Sequence, residues 1–483
     1  MTAPLSRLWP VVLAVQLGVL LAALDATVVG TAMPTVIVEL GGVALYPWVF
    51  SAYMLAATAV MPVFGGVSDR AGRKGPFVAA VAVFSAGSLV AGAAPSMLVL
   101  IAGRALQGIG AGGIQTLGLI IFGDLFPGAR RGRMQALITA VWGLASVVGP
   151  LLGGLIVDRW TWRWIFYLNL PLGAVVVLLT LAGLRETAPD QARRRLDVAG
   201  AATFVAGVTA LLLVFLHTGK AASVGWERAG AAVVALACLL LFLRIERAAP
   251  GPILPLSLFR EASFGPSCVA NFFAGATMFG ALVHIPILAQ WGQGTDATTA
   301  GLSLMAMSMG WSVGGLGAGQ FVNRLGFWRL SVGGMVLMVL GQIALTLWRE
   351  AGWGTLMWIG GVIGTGMGLA SVTVVVAVQT LIRAERRGAA TSAILFFRNV
   401  GATLGVAVMG ASLTARLGVE VAALEGMRTL PPPLQAALVD AMGPVFWLGT
   451  GAAFLGLAGA LCLPGGSPVS VVPIREGEEE MAG

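Results

Sequence analysis

Charge is the first thing that this chain lacks. Only 10% of its 483 residues are Asp, Glu, Lys or Arg, whereas 58% are hydrophobic. A soluble protein has about 25% charged residues, so a soluble globular fold is excluded and the long apolar runs predict a protein with many membrane spans. The net charge of +8 is then expected from loops that face an anionic membrane surface, and it is no evidence for a nucleic acid partner.

The chain is also poor in residues that build metal sites and disulfides. It has 3 Cys and 2 His, and Cys238, Cys268 and Cys462 lie far apart in apolar segments. This spacing predicts no metal site and no disulfide, and no cofactor is expected. The sequence contains no Gly-x-x-x-x-Gly-Lys-Ser/Thr motif and no nucleophile–base arrangement, so it predicts neither an enzyme nor an ATP-driven pump.

What the chain has in abundance is apolar segments of about 20 residues, which predict an all-α protein with fourteen transmembrane helices. The predicted helix centres fall near residues 22, 56, 84, 110, 146, 174, 207, 236, 276, 310, 339, 369, 401 and 452. With the N-terminus inside, 20 of the 29 basic residues lie in predicted cytoplasmic segments and 7 in outer loops. This bias predicts that both termini are cytoplasmic.

An internal repeat divides the chain into two halves. Arg-Arg-Gly at 130–132 recurs at 386–388, and the glycines of 108–112 recur at 364–368, both at an offset of 256. Two six-helix halves in the same orientation need an even number of helices between them. The predicted domains are therefore a six-helix bundle over 1–185, two inserted helices with linkers over 186–262, a second six-helix bundle over 263–465 and a disordered acidic tail over 466–483.

One polar interruption is much more specific than an ordinary positively charged loop. Residues 65–77 read Gly-Gly-Val-Ser-Asp-Arg-Ala-Gly-Arg-Lys-Gly-Pro-Phe. This spacing resembles the signature loop of the major facilitator superfamily of secondary transporters, with Val67 where Leu is usual. The resemblance implies a conformational latch formed by Gly65, Asp69, Arg70, Gly72 and Arg73. A degenerate copy at 319–326 has Asn323 in place of the acid.

Asp25 is the main candidate for carrying a proton. It is the one acidic residue of 21 that lies deep in a predicted span, where an ionised side chain costs about 2.5–3.5 kcal/mol unless it is paired or hydrated. Desolvation disfavours its charged form, so we expect Asp25 to bind and release a proton; a structural role in a helix break is the alternative. Residues 24–34, Leu-Asp-Ala-Thr-Val-Val-Gly-Thr-Ala-Met-Pro, resemble the helix 1 motif of the fourteen-helix drug:proton antiporters, with Gly30 where that family has Asn.

Arg104 is the second charged residue within a predicted span. Residues 101–113, Ile-Ala-Gly-Arg-Ala-Leu-Gln-Gly-Ile-Gly-Ala-Gly-Gly, resemble the helix 4 motif of the same superfamily. A buried Arg needs an acceptor, and Asp25 is the one deep carboxylate. We therefore expect Arg104 to control the charge state of Asp25, directly or through water and Gln107. Bonding to helix carbonyls is the alternative.

Small residues dominate the fifth predicted helix. Residues 143–154 resemble the helix 5 motif that is characteristic of antiporters and implies export rather than uptake. Such residues permit close helix packing, and Pro kinks the helix, although a glycine stripe is common in membrane bundles. The motif residues are Gly143, Gly149, Pro150, Gly153 and Gly154. Residues 162–171, Trp-Arg-Trp-Ile-Phe-Tyr-Leu-Asn-Leu-Pro, also resemble this family and predict an aromatic belt at the outer interface.

Other residues are candidates for a substrate cavity. Arg398 lies opposite Trp142 in the repeat, and it could contact substrate or bond backbone across the domain interface. A lone His such as His284 is more often structural than functional. Met side chains adapt to varied ligands, but plain packing explains them equally well. The predicted cavity residues are Thr27, Gln107, Asn271, Met278, His284, Trp311 and Arg398.

By these motifs, the helix number and the two-helix insert, the chain is identified as a member of the fourteen-helix drug:proton antiporters of the major facilitator superfamily. The resemblance implies a monomeric protein of the bacterial inner (plasma) membrane that confers antibiotic resistance. It would exchange lipophilic, monocationic or neutral drugs for protons by alternating access. An exporter of lipids or of a specific metabolite, and a proton-coupled uptake symporter, are the alternatives. The expected partners are small lipophilic substrates, protons and the lipid bilayer.

Overall fold

The computed structural model describes residues 9–41, 45–126, 129–184, 197–216, 225–249, 252, 254–295, 297–417 and 431–466. The described residues form helices and turns and contain no strand. Short 3-10 and π turns occur at Leu256–Arg260 and Leu288–Gly292. The α-helices are α1 (Trp9–Leu40), α2 (Tyr46–Ala71), α3 (Lys74–Gly92), α4 (Met97–Leu125), α5 (Ala129–Arg159), α6 (Trp164–Tyr167), α7 (Asn169–Gly183), α8 (Val198–Leu216), α9 (Gly225–Ala248), α10 (Phe264–Ile287), α11 (Ala297–Leu347), α12 (Trp353–Leu381), α13 (Arg387–Leu417) and α14 (Pro432–Leu461).

Among the described residues, 12 helical segments are long and apolar enough to cross a membrane. One of them lies in α11, which is interrupted at Gly326, where the backbone has φ 80° and ψ 173°. A residue with a side chain is strained at this positive φ, so glycine permits the turn between two helices, here called α11a (297–325) and α11b (327–347). A shorter apolar segment, Val198–Leu211, lies in α8. The predicted all-α, multi-span architecture is confirmed, and every predicted helix centre lies within a helix.

The internal repeat is visible in how the helices pack. Helix α4 packs against α2 and α3, and its counterpart α12 packs against α11a and α11b. A Cβ at Gly112 of α4 would overlap the backbone of Ala57, and a Cβ at Gly368 of α12 would overlap the backbone of Trp311. Both positions therefore need a residue that lets two backbones approach closely.

Each half has its own apolar core. Buried aromatic and branched side chains of α1, α3 and α4 fill the first half, among them Phe77, Phe84 and Phe122. The second half is filled by side chains from α10 to α14, among them Met278 and Phe446. The halves meet where α2 contacts α13 and where α5 contacts α11a and α12.

Of the two helices between the halves, α8 packs against α9 and also against helices of both halves. Helix α8 contacts α9, α2 and α13. The ring of Phe204 on α8 lies 5.0 Å from that of Phe242 on α9 and 5.1 Å from that of Phe396 on α13, centroid to centroid. The predicted domain boundary at 185/186 and the predicted acidic tail after residue 466 lie outside the described residues.

Candidate functional site

A buried polar cluster in the first half surrounds Asp25 on α1. Arg104 on α4 forms an ion pair with Oδ2 of Asp25 through its Nη1 atom, and both side chains are almost inaccessible. The other carboxylate oxygen, Oδ1, accepts hydrogen bonds from Gln107 Nε2 on α4 at 2.8 Å and from Asn169 Nδ2 on α7 at 3.0 Å. The structure thus brings the two deep charges of the first half into direct contact, and two further donors complete the carboxylate's environment.

The remaining contacts of the cluster connect it to α2 and α3. Arg104 Nε donates to the carbonyl oxygen of Val49 at 3.2 Å, and its guanidinium carbon lies 4.2 Å from the centre of the Tyr53 ring; both residues belong to α2. Ser88 Oγ on α3 accepts from Gln107 Nε2 at 2.8 Å. Five helices therefore contribute to one network around a single ion pair.

The contacts of Arg104 indicate how protonation of Asp25 would affect this cluster. Removing one partner of a buried ion pair costs about 3–5 kcal/mol, because the other charge is left uncompensated. Protonation of Asp25 would leave Arg104 with neutral acceptors only, Gln107 Oε1 at 2.9 Å and the Val49 carbonyl. Proton binding is therefore expected to move Arg104, and with it the contact to α2.

The polar side chains Asn169 and Ser88, and the contacts of Arg104 with Val49 and Tyr53, were not predicted from the sequence. Asn169 is the first residue of α7, inside the segment that we interpreted as an aromatic belt, and Ser88 lies in the apolar run of α3. The sequence did contain a signal for Asn169, which lies between Leu168 and Leu170. A polar side chain in such an apolar run needs a buried partner.

Asp69 in the signature loop joins the two halves. Its carboxylate accepts hydrogen bonds from the backbone N–H groups of Gly388 (3.0 Å) and Ala389 (2.8 Å), at the start of α13. The positive end of a helix dipole favours an anion there. A Cβ at Gly65 would lie 2.6 Å from the carbonyl oxygen of Gly388, so glycine is needed for this close approach, and Gly72 has a φ of 82° that favours glycine at the turn.

A chain of charges extends this contact. Arg73 forms ion pairs with Asp69 at 2.9 Å and with Asp124 at 2.9 Å, and Asp124 also pairs with Arg387 of the second half at 2.7 Å. Burial favours the neutral form of Arg73, but attraction to Asp124 and Asp69 outweighs it and raises the pKa of Arg73 above its usual range. Arg73 therefore stays charged between two acids.

Neighbouring residues at this end of the bundle, here called the loop end, add further contacts of the first half, one with the second half and one with the linker after α9. Arg131 Nη1 on α5 donates to the carbonyl oxygen of Gln379 at 2.7 Å and to Thr380 Oγ1 at 2.8 Å, both on α12. Arg70 Nη2 donates to the carbonyl oxygen of Pro252, in the linker that follows α9, at 2.6 Å. The two halves are closed against each other at the loop end.

The residues of the antiporter-like motif lie at helix contacts of α5. A Cβ at Gly143 would overlap Ser312 of α11a, and a Cβ at Gly149 would overlap Thr27 of α1. Thr27 Oγ1 lies 3.1 Å from the carbonyl oxygen of Ala145 on α5, so this predicted cavity residue bridges two helices instead. Pro150 and Gly153 lie within α5, and a Cβ at Gly154 would meet open space.

A small cavity of about 40 Å³ lies between the halves, near the middle of α5, α11a and α13. Two of the predicted cavity residues, Trp311 and Arg398, line it, together with Trp142, Gln115 and Gln135. Asp25 is not among the lining residues. Drug-sized ligands occupy pockets of about 300–1,000 Å³, so this arrangement has no room for a whole substrate there.

Three other predicted cavity residues serve helix packing in this arrangement. Asn271 Nδ2 donates to the carbonyl oxygen of Ile394 at 3.1 Å, and His284 Nδ1 lies 2.8 Å from the carbonyl oxygen of Gly280. Met278 is fully buried in the core of the second half. Asn271 therefore bonds to α13 and His284 bonds within α10, and all three residues lie on a helix that packs against α12, α13 and α14. No group of three or more His, Cys, Asp or Glu within the described ranges could hold a metal ion.

Comparison with known proteins assigns this architecture to a family. The family model described as Major Facilitator Superfamily matches residues 15–406. The chain belongs to the major facilitator superfamily. This confirms the superfamily prediction that the signature loop carried, and it makes the protein a membrane transporter by family.

The relatives and a solved structure agree with this assignment. The chain is 36% identical over 401 residues to the multidrug transporter protein MdtP of Bacillus subtilis, and this alignment covers 82% of this chain and 73% of MdtP. It is 34% identical over 406 residues to multidrug resistance protein 3 of the same organism, and this alignment covers 83% of this chain and 78% of that protein. The structure of the superfamily's proton:xylose symporter XylE matches with a TM-score of 0.65 at 14% identity, covering 96% of this chain and 98% of XylE. At that identity the likeness shows the fold alone.

Proposed function

We propose that this protein is a proton-coupled exporter of lipophilic, neutral or monocationic drugs and that Asp25 is its proton carrier. The observation that carries the proposal is the buried Asp25–Arg104 pair, whose charge balance a single proton would change. The names of the relatives MdtP and multidrug resistance protein 3 support drug export. We count fourteen spans, by adding α8 to the 12 candidate segments and dividing α11 at Gly326. We place the loop end and both termini in the cytoplasm of a plasma-membrane protein, because that end has the excess of basic residues.

In the proposed cycle, proton binding and substrate release occur when the outer side is open, and the reverse occurs when the inner side is open. The loop end is closed in this structure, which the proposed cycle assigns to the states that do not open to the inner side. One deep carboxylate implies one exchanged proton. Exchange for a monocation is then electroneutral and driven by the pH gradient.

Coupling between proton and substrate runs through α2 in this proposal. Asp25 does not line the central cavity, so a substrate there cannot contact the carboxylate directly in this arrangement. Arg104, however, contacts Val49 and Tyr53 near one end of α2, and Asp69 near the other end caps α13. Val49 and Asp69 are about 30 Å apart along α2 at 1.5 Å per residue, with Pro62 inside the helix between them. Movement of Arg104 on protonation would bias the latch, so that both ligands act on one two-state element.

Proteoliposomes with an imposed pH gradient test this function. We expect the wild type to drive efflux of rhodamine 123, a lipophilic monocation, and Asp25→Asn to abolish gradient-driven efflux. Asp440→Asn is the matched control, because Asp440 on α14 is an exposed acid whose side chain is 81% accessible. Absence of efflux by the wild type would contradict drug export, and undiminished efflux by Asp25→Asn would contradict the role of Asp25.

A further inference from the structure

The second half contains a buried cation that the protein itself does not neutralise. Arg398 on α13 is 8% exposed, and it takes part in none of the ion pairs among the described residues. Its hydrogen bonds are two long ones, both 3.3 Å, from Nε and Nη2 to the same oxygen, Asn399 Oδ1. A guanidinium has five N–H donors, so this partner leaves most of its capacity unused.

The environment of Arg398 is the central cavity. Its guanidinium carbon lies 5.7 Å from the centre of the Trp311 ring, and both side chains line the cavity. None of the described lining residues is acidic. Asn399 cannot turn fully toward Arg398, because its Nδ2 faces Thr58 Oγ1 at 3.4 Å on α2 of the first half.

A second donor without a partner lines the same cavity. The indole Nε1 of Trp142 is buried and has no hydrogen-bond acceptor. Trp142 on α5 and Arg398 on α13 occupy equivalent positions of the internal repeat, so the two halves each present a donor to the boundary between them. Buried donors without an acceptor are costly, and a charged one more so.

We propose that this cavity is an anchoring site for an acceptor group of the substrate, best a carboxylate, with Arg398 as its cation and Trp142 as a second donor. The proposal rests on the proposed export function and narrows its substrate class. Among neutral and monocationic lipophiles, those with an acidic group, including zwitterions that are neutral overall, bind best. A cation without such a group meets the unneutralised charge of Arg398, which is unfavourable in a site from which water is largely excluded.

The volume and lining of the cavity agree with this role. At about 40 Å³ it holds one acceptor group rather than a whole drug. Its apolar lining includes Ile138, Val372, Val375 and Leu395, and its neutral polar lining is Gln115, Gln135, Thr139 and Ser371. Arg398 is the one charged group among these lining residues, so a carboxylate that enters gains most from Arg398, with Trp142 as a second donor. The body of the substrate is accommodated when the two halves move apart.

Equilibrium binding of two matched dyes to the purified full-length protein tests the proposal. Rhodamine 110 has a free carboxylate and rhodamine 123 is its methyl ester, and both share the xanthene cation, so their affinity ratio isolates the carboxylate. We expect the wild type to bind rhodamine 110 at least about tenfold more tightly, as for a charge-assisted hydrogen bond. Arg398→Gln should reduce this ratio to about one, Arg398→Lys should retain part of it, and Trp142→Phe should lower it moderately.

The ratio of the two dye affinities distinguishes loss of the anchoring site from a general disturbance of packing. A variant that only disturbs packing weakens both dyes alike and leaves the ratio unchanged, so an unchanged ratio in Arg398→Gln would overturn the proposal. Equal binding of the two dyes by the wild type, tighter binding of the ester, or binding of neither dye would overturn it as well. Gradient-driven efflux of rhodamine 123 is measured in parallel. If that efflux persists while the carboxylate gives no advantage, the anchoring site is refuted and the export function stands.

Discussion

Two arginines are buried near the middle of the bundle, one in each half, and they differ in what neutralises them. Arg104 is 1% exposed and bonds to Asp25, Gln107 and the carbonyl of Val49. Arg398 is 8% exposed, and among the described residues it hydrogen-bonds to Asn399 alone and lies near the Trp311 ring. A charge at this depth persists only with a partner or in a polar cavity. For Arg104 the partner belongs to the protein, and for Arg398 we propose that the substrate supplies it. In the proposed function, the buried cation of the first half is therefore assigned to the proton and that of the second half to the substrate.

The largest expected difference between the two arginines is in stability, and it is tested by neutralising each arginine in turn. Arg104→Gln should lower the free energy of unfolding by about 3–5 kcal/mol, because it leaves Asp25 without its cation. Arg398→Gln removes a cation that lacks a carboxylate, so we expect a change below about 1 kcal/mol. Denaturant unfolding in detergent measures both. Equal losses of stability would show that Arg398 is also structurally paired.

A double-mutant cycle gives the control for this prediction. Asp25→Asn combined with Arg104→Gln should recover much of the stability that either single substitution loses, because the double variant leaves no uncompensated charge. Additive losses would contradict a direct pair.

The next effect concerns the two copies of the signature loop. Asp69→Asn converts the first copy to the amide of the second, and it removes charge-assisted hydrogen bonds to Gly388 and Ala389 as well as the ion pair with Arg73. We expect the population closed at the loop end to fall about tenfold relative to the open one. Distances between spin labels on α2 and α13 measure this ratio. Asn323→Ala is the matched change in the second copy and should shift the populations less.

A smaller effect separates substrates by charge. Ethidium and propidium share a phenanthridinium ring, but propidium has a second cationic group. With one proton exchanged, export of a dication works against the membrane potential at about 2.3 kcal/mol per 100 mV. Imposing an inside-negative potential should therefore slow propidium efflux and leave ethidium efflux nearly unchanged. Strong pumping of propidium that only a substitution other than at Asp25 abolishes would contradict a single coupling acid.

The smallest expected effect is on stability in acid, and it concerns Glu39, which like Asp25 lies on α1 and pairs with an arginine. Hydrogen bonds from Arg163 and from Trp162 Nε1 lower the pKa of Glu39, which lies beyond the candidate span Trp9–Gly30. A lowered folded-state pKa adds stability above the unfolded value of about 4.3, and this stability is lost as the pH falls through the folded value. Because the Glu39 side chain is 46% exposed, we expect less than about 1 kcal/mol. Glu39→Gln should abolish this acid-dependent part of the unfolding curve, and an unchanged acid limb would contradict it.

Sequence alone predicted the features that depend on charge within apolar runs. The helix centres follow from the apolar runs, the superfamily follows from the resemblance of the signature loop, and the proximity of Asp25 and Arg104 follows from the cost of an unpaired charge in a membrane. Sequence did not predict which neighbour each polar side chain faces. Thr27 and Asn271 are polar, but helix packing turns them toward carbonyl oxygens of adjacent helices rather than the cavity. The ring of His284 instead lies against the carbonyl oxygen of Gly280 in its own helix.

The ion pairs between the two halves were not predicted from the sequence either. The acceptor role of Asp124 between Arg73 and Arg387 depends on residues more than 250 positions apart. Such contacts arise from how two separately packed halves meet, and no local pattern encodes them.

Proton release on substrate binding tests the central role of Asp25 most directly. Rhodamine 123 is added to purified protein in a weakly buffered solution, and released protons are counted for the wild type, Asp25→Asn and the control Asp440→Asn. We expect about one proton per bound substrate for the wild type and the control, and none for Asp25→Asn. Release that survives in Asp25→Asn would contradict it and would place the exchanged proton on another group.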